Sequence, residues 1–125
     1  LTVLENLEVP MYLKGIPKSI RRKVAHDLLR EFGLEHLANR YPHEVSMGEQ
    51  QRIAALRAIT NKPELILADE PTAHLDDENS QLLYDIIKRF NREFKTTVVI
   101  SATNADDVRI ASKTYVLING ILKLL

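Results

Sequence analysis

The sequence predicts an α/β chain in which a helical N-terminal part leads into the C-terminal part of a parallel sheet. Three observations carry this. Apolar residues recur at helical spacing through residues 1–60. A strand–helix–strand pattern runs from Leu65 to Ala102, and it calls for parallel pairing through a right-handed crossover. Asn119-Gly120 lies between two short apolar runs, the strongest local hairpin signal.

The first helix opens at Thr2, whose spacing to Glu5 fits a capping box. Pro10 is expected to interrupt it and Gly15 to end the segment. Pro17 opens a second helix with the stripe Ile20, Val24, Leu28 and Phe32, and Gly33 stops it. Leu34 to Ala38 reads as a short helix and Tyr41-Pro42 as loop. Ser46 and Glu49 fit a second capping box, for a helix that runs to about Thr60 with Ile53, Leu56 and Ile59 inward. Leu65 to Asp69 is a buried strand. Asp76 caps the next helix, with Asp77 and Glu78 at its positive end. Leu82, Leu83, Ile86, Ile87, Phe90 and Phe94 form its apolar face. Thr97 to Ala102 is a second buried strand, and a short helix covers 106–112. Two units follow: a helical one over 1–60, and 61–125, the end of a sheet-based core.

Composition excludes several classes. The chain has 125 residues, 45% of them hydrophobic, enough to bury a core. Lys+Arg is 17 and Asp+Glu is 17, so no overall field draws it to nucleic acid or an anionic membrane. There is no cysteine, hence no disulfide framework, thiolate metal site or cysteine nucleophile. His26, His36, His43 and His74 lack metal-ligand spacing. Ser46 and Ser101 lack a Gly-x-Ser-x-Gly context, which argues against a serine hydrolase. Lys18, Arg21, Arg22 and Lys23 read as a solvated helix face. No apolar run is long enough to span a bilayer.

Chemistry concentrates in two places. Asp69 and Glu70 end an apolar strand, where ligands of open parallel sheets bind. A carboxylate there suits Mg²⁺, which takes hard oxygen ligands and keeps some waters. Its neighbour can accept a proton from an attacking water. A plain surface pair is the alternative; four apolar residues before it and Pro71-Thr72 after it favour the chemical reading. The second place is Val45 to Glu49, where free backbone N–H groups at a helix start suit a phosphate. Ser46 and Glu49 can equally cap each other, and both readings can hold together. Gly48 would let a ligand approach the backbone closely.

These residues resemble a family. Ser46-Met47-Gly48-Glu49-Gln50-Gln51-Arg52, then Leu65 to Pro71, then Ala73 to Asp76, are similar in letters, order and spacing to the signature motif, Walker B and D-loop of ABC-type ATPases. The opening from Leu1 to Asn6 looks like the helical subdomain that follows the Q-loop. The likeness covers essentially the whole chain and is closest to ATP-binding subunits of the lipoprotein-release and macrolide-efflux type. It implies the end of a P-loop NTPase-type (RecA-like) sheet joined to the ABC α-helical subdomain, and ATP with Mg²⁺ as cofactors. It implies Asp69 as the Mg²⁺ carboxylate, through water, and Glu70 as the catalytic base. Ser46, Met47, Gly48 and Glu49 would face the γ-phosphate of ATP held by an opposite subunit. Asp76 would line that dimer interface. The implied partners are a second ATP-binding subunit and a transmembrane permease, with no nucleic acid. The implied location is cytoplasmic, on the inner face of the cell membrane.

The sequence also departs from the pattern. None of its four glycines begins a G-x-x-x-x-G-K-[ST] loop, so the chain is expected to start after that loop and, alone, to hydrolyse little or no ATP. Asn104 stands where the resemblance places a switch histidine; its amide can hydrogen-bond a γ-phosphate but cannot take up a proton or carry a positive charge at neutral pH. Met47 replaces a preferred glycine. Two other readings stay open: a non-hydrolysing module of the same fold that completes a partner's ATP site, and a DNA-repair or translation ATPase of the superfamily. The short segment before Val45 leaves no room for a coiled-coil insertion, which argues against the repair branch.

Overall fold

A computed structural model describes residues 1–103 and 107–125. Helix α1 spans Val3–Leu13, α2 Lys18–Glu31 and α3 Met47–Ile59. Strand β1, Leu65–Asp69, leads through α4, Asp77–Phe94, to β2, Thr97–Ser101. Strands β3, Tyr115–Ile118, and β4, Ile121–Leu124, close the chain. Single 3₁₀ turns sit at Glu35–Leu37, Pro42–Glu44 and Asp107–Ile110.

The two capping boxes form as their spacing requires. Thr2 Oγ1 accepts from the Glu5 N–H at 3.2 Å, and Glu5 returns a carboxylate to the Thr2 N–H at 2.8 Å. Pro10 does not interrupt α1; it lies inside the helix. Burial of Val3, Leu4, Leu7 and Met11 spans both sides of the proline, and that packing outweighs the missing backbone bond. In α2 the buried line is Ala25 and Leu29; Val24, Leu28 and Phe32 pack at its border and Ile20 is exposed. The buried line is therefore rotated by one residue from the expected stripe. Arg21 and Arg22 are not simply solvated. They pair with buried Glu8 at 3.2 and 3.4 Å, a carboxylate that could not stay inside unpaired.

One core gathers α1, α2 and α3 and takes Ile86 and Phe90 from α4. A second cluster sets Leu83, Tyr84 and Ile87 of α4 against Val98 and Ile100 of β2. The two clusters thus occupy adjoining faces of one helix. Leu82 and Phe94, expected on its apolar face, lie at the exposed margin, while Tyr84 is buried there.

Strands β1 and β2 pair in parallel, Leu65 with Thr97 through to Asp69 with Ser101. Neither is buried as expected. Inner residues meet α4, but Leu65, Leu67 and Val99 are 52%, 74% and 54% exposed, because among the described residues this sheet has two strands and a helix on one face. Strands β3 and β4 form the expected antiparallel hairpin. Asn119 and Gly120 take φ of +50° and +78°, the left-handed pair that a two-residue turn needs. The helix expected over 106–112 is a 3₁₀ turn from Asp107 to Ile110, and residue 106 lies outside the described residues.

Candidate functional site

Strand β1 delivers Asp69 to the carboxyl end of the sheet, on the face away from α4. Its register partner Ser101 ends β2, so the two side chains leave the last rung on the same side. The Ser101 hydroxyl donates to Asp69 Oδ1 in a short hydrogen bond. The Ser101 hydroxyl oxygen in turn accepts from the Glu70 N–H at 2.9 Å, and the Ser101 carbonyl shares that N–H at 3.1 Å. Glu70 adopts φ +43°, a conformation that costs a non-glycine residue about 1–2 kcal/mol. The two acceptors on Ser101 offset that cost. Ser101 is absent from the sequence-derived site, since its partners stand more than thirty residues away and no local pattern marks the link.

Glu70 starts a tight loop that Asp76 ends. The Ala73 N–H donates to the Glu70 carbonyl and the Leu75 N–H to that of Thr72, both at 3.0 Å. Buried Thr72 Oγ1 lies 3.2 Å from the Tyr84 hydroxyl, a hydrogen bond that pins the loop to α4. A cleft of about 600 Å³ opens beside Glu70, lined also by Thr72, His74 and Thr103.

Asp76 caps α4. Its Oδ1 accepts from the Asn79 N–H at 2.8 Å and from Asn79 Nδ2 at 2.9 Å. These bonds, the backbone one first, hold its carboxyl below the ordinary aspartate value. At the start of α3, Ser46 Oγ accepts from the Glu49 N–H at 3.2 Å and Glu49 Oε2 accepts from the Ser46 N–H at 2.8 Å. Ser46 and Met47 are exposed, Met47 by 56%. Gly48 is buried instead, with Asn79 covering its α-carbon: a β-carbon there would lie 2.2 Å from Asn79 Oδ1. Here the glycine serves helix packing, and the face open to a ligand is that of Ser46 and Met47. Gln50 Nε2 donates to the Pro42 and Val45 carbonyls at 2.8 and 3.3 Å, fixing the turn that leads into α3. Asn79 thus joins the start of α3 to the end of the loop that Glu70 begins. Asn104 lies outside the described residues.

A family profile described as ABC transporter matches residues 1–73. The chain is 41% identical over 123 residues to the lipoprotein-releasing system ATP-binding protein LolD of Blochmanniella floridana, covering 98% of this chain and 52% of that protein. It belongs to the ABC transporter family. It is also 42% identical over 123 residues to the ABC transporter ATP-binding protein YtrE of Bacillus subtilis, covering 98% and 53%. The chain therefore spans about half the length of the curated ABC relatives it matches. Among solved ABC structures, a dimeric post-hydrolysis state of the ATP-binding cassette MJ0796, bound to ADP and Pi, superposes with a TM-score of 0.84 at 35% identity, covering 98% of this chain and 55% of that one. An inward-facing putative metal-chelate type ABC transporter gives 0.90 at 31%, covering 99% and 51%. The α/β fold with its parallel strand pair is thus that of ABC cassettes.

Proposed function

We propose that this chain is the signature-to-hairpin half of an ATP-binding, ATP-hydrolysing subunit that energises transport across a membrane. The observation that carries the reading is the carboxyl end of β1, where Asp69 and Glu70 stand on adjacent residues with their backbone and carboxylate held by one hydroxyl. The donor set fits Mg²⁺. Asp69 offers hard oxygens at an open strand end, and no three His, Cys, Asp or Glu side chains converge into a cage among the described residues. Mg²⁺ is commonly held by one or two carboxylates, with waters and phosphate oxygens supplying the rest. Bound there, the ion would neutralise charge on a triphosphate. Asp69 would hold it, directly or through water, and Glu70, beside the cleft, would take the proton of the attacking water.

The exposed start of α3 supports the rest of the assignment. Ser46 and Met47 present backbone and side chain to the outside, suited to the γ-phosphate of ATP on a second subunit. Gly48 and Glu49 shape that turn from behind, Asp76 lies toward the same partner, and Asn104 stands at the switch position in sequence. The helical part, 1–60, and the core part, 61–125, act as signature subdomain and catalytic half. The partners are a second ATP-binding subunit and a transmembrane permease, and the location is the cytoplasmic face of the membrane.

The Asn104 departure favours a second reading, a non-hydrolysing module that completes a partner's site. One variant separates the two. In the natural polypeptide that contains this chain, Glu70→Gln is expected to lower phosphate release by about 10²–10⁴-fold while ATP still binds. Unchanged release refutes the base assignment. A wild-type protein that binds ATP without turnover establishes the second reading.

A further inference from the structure

We propose that Ser101 is a positioning residue that presets the Asp69 carboxylate for a divalent cation and the Glu70 backbone for its role. The inference rests on the metal reading of Asp69 given above. A serine hydroxyl has one proton and two lone pairs. The Glu70 N–H occupies one lone pair, at 2.9 Å, and the proton goes to Asp69 Oδ1. Both consecutive residues are therefore tied to one oxygen on the neighbouring strand.

The placement is built by the sheet. Asp69 and Ser101 are opposite each other on the last parallel rung, on the open face. An aspartate χ2 is otherwise a broad, two-fold torsion, so a free carboxylate would sample many orientations. The hydroxyl restricts that freedom by engaging Oδ1, which leaves Oδ2 of an exposed residue for an ion. It also accepts from the N–H of a residue held at φ +43°, which keeps the chain turning into the 70–76 loop. Partners that orient a ligating carboxylate typically contribute 10–100-fold in metal affinity.

The test uses the natural polypeptide with adenylyl imidodiphosphate and Mn²⁺ as the probe ion, titrated by electron paramagnetic resonance. Wild type is compared with Ser101→Ala, Ser101→Thr and Asp69→Asn. Ser101→Ala is expected to weaken Mn²⁺ about tenfold, and Ser101→Thr, which keeps the hydroxyl and suits a strand, to stay within about twofold of wild type. Ser101 is exposed, so both variants should keep the wild-type circular dichroism spectrum. If Asp69→Asn weakens the ion while Ser101→Ala does not, the positioning role is overturned and the metal reading stands. If both Ser101 variants weaken it equally, the hydroxyl is not the cause and the proposal falls. If Asp69→Asn changes nothing, the metal reading itself is wrong and the proposal falls with it.

Discussion

Gly48→Ala tests how α3 and α4 fit together. A β-carbon at this position would lie 2.2 Å from Asn79 Oδ1, 2.4 Å from its Cγ and 3.0 Å from its Cβ. Ordinary van der Waals contact begins near 3.4 Å, so the first overlap exceeds about 1 Å. Rotating Asn79 about χ1 moves Oδ1 and Cγ away and breaks its side-chain bond to Asp76. It cannot move Cβ, so α3 and α4 must also part by a few tenths of an ångström. Overpacking of this kind costs about 1–3 kcal/mol. Alanine in place of a helical glycine returns at most about 1 kcal/mol. The expected net loss is about 1–2 kcal/mol. With a urea slope of about 1.5 kcal/mol/M for a chain this size, the midpoint falls by about 1 M. Urea unfolding followed by circular dichroism measures it. Asn79→Ala in the same chain removes the two worst contacts and should recover most of the loss, a coupling of about 1 kcal/mol. A Gly48→Ala protein as stable as wild type or more so, the outcome that helix propensity alone predicts, refutes the packing account.

Two further outcomes follow from bonds around the 70–76 loop. Tyr84→Phe removes the partner of buried Thr72 Oγ1 and should lower stability by about 1 kcal/mol in a thermal melt, with Thr72→Val added on top costing little more. Asp76 carries a pH signature. Its folded carboxyl lies below the unfolded value, so its stabilisation is complete above the unfolded value near ~3.9 and is lost as pH falls through the folded one. Asp76→Asn, which can still cap α4, should flatten the acid limb of a stability–pH curve while leaving neutral stability near wild type; Asp76→Ala should lower stability at neutral pH as well.

Local chemistry was readable where one stretch of chain decides the outcome. The boxes Thr2/Glu5 and Ser46/Glu49, the cap at Asp76, the β-branched strands and the Asn119-Gly120 turn all form where spacing and residue type put them. Local rules fail where distant packing overrides them. Pro10 stays helical because α1 is buried on both sides of it, and β1 and β2 are half-exposed because burial depends on what covers a sheet. The candidate site divides the same way. That Asp69 and Glu70 end a strand follows from their own neighbours. That Ser101 holds them, Tyr84 anchors Thr72 and Asn79 covers Gly48 depends on elements brought together by the fold.

Helix α4 contributes Ile86 and Phe90 to one apolar cluster and Leu83, Tyr84 and Ile87 to the other. It is a spine shared by both ends of the molecule. A protease nick in the exposed turn at Lys62 would cut the covalent link between α3 and β1 yet leave α1–α3 clasped to the remainder. Neither piece could then dissolve without stripping a face from the same rod, so the severed chain should still melt as one unit.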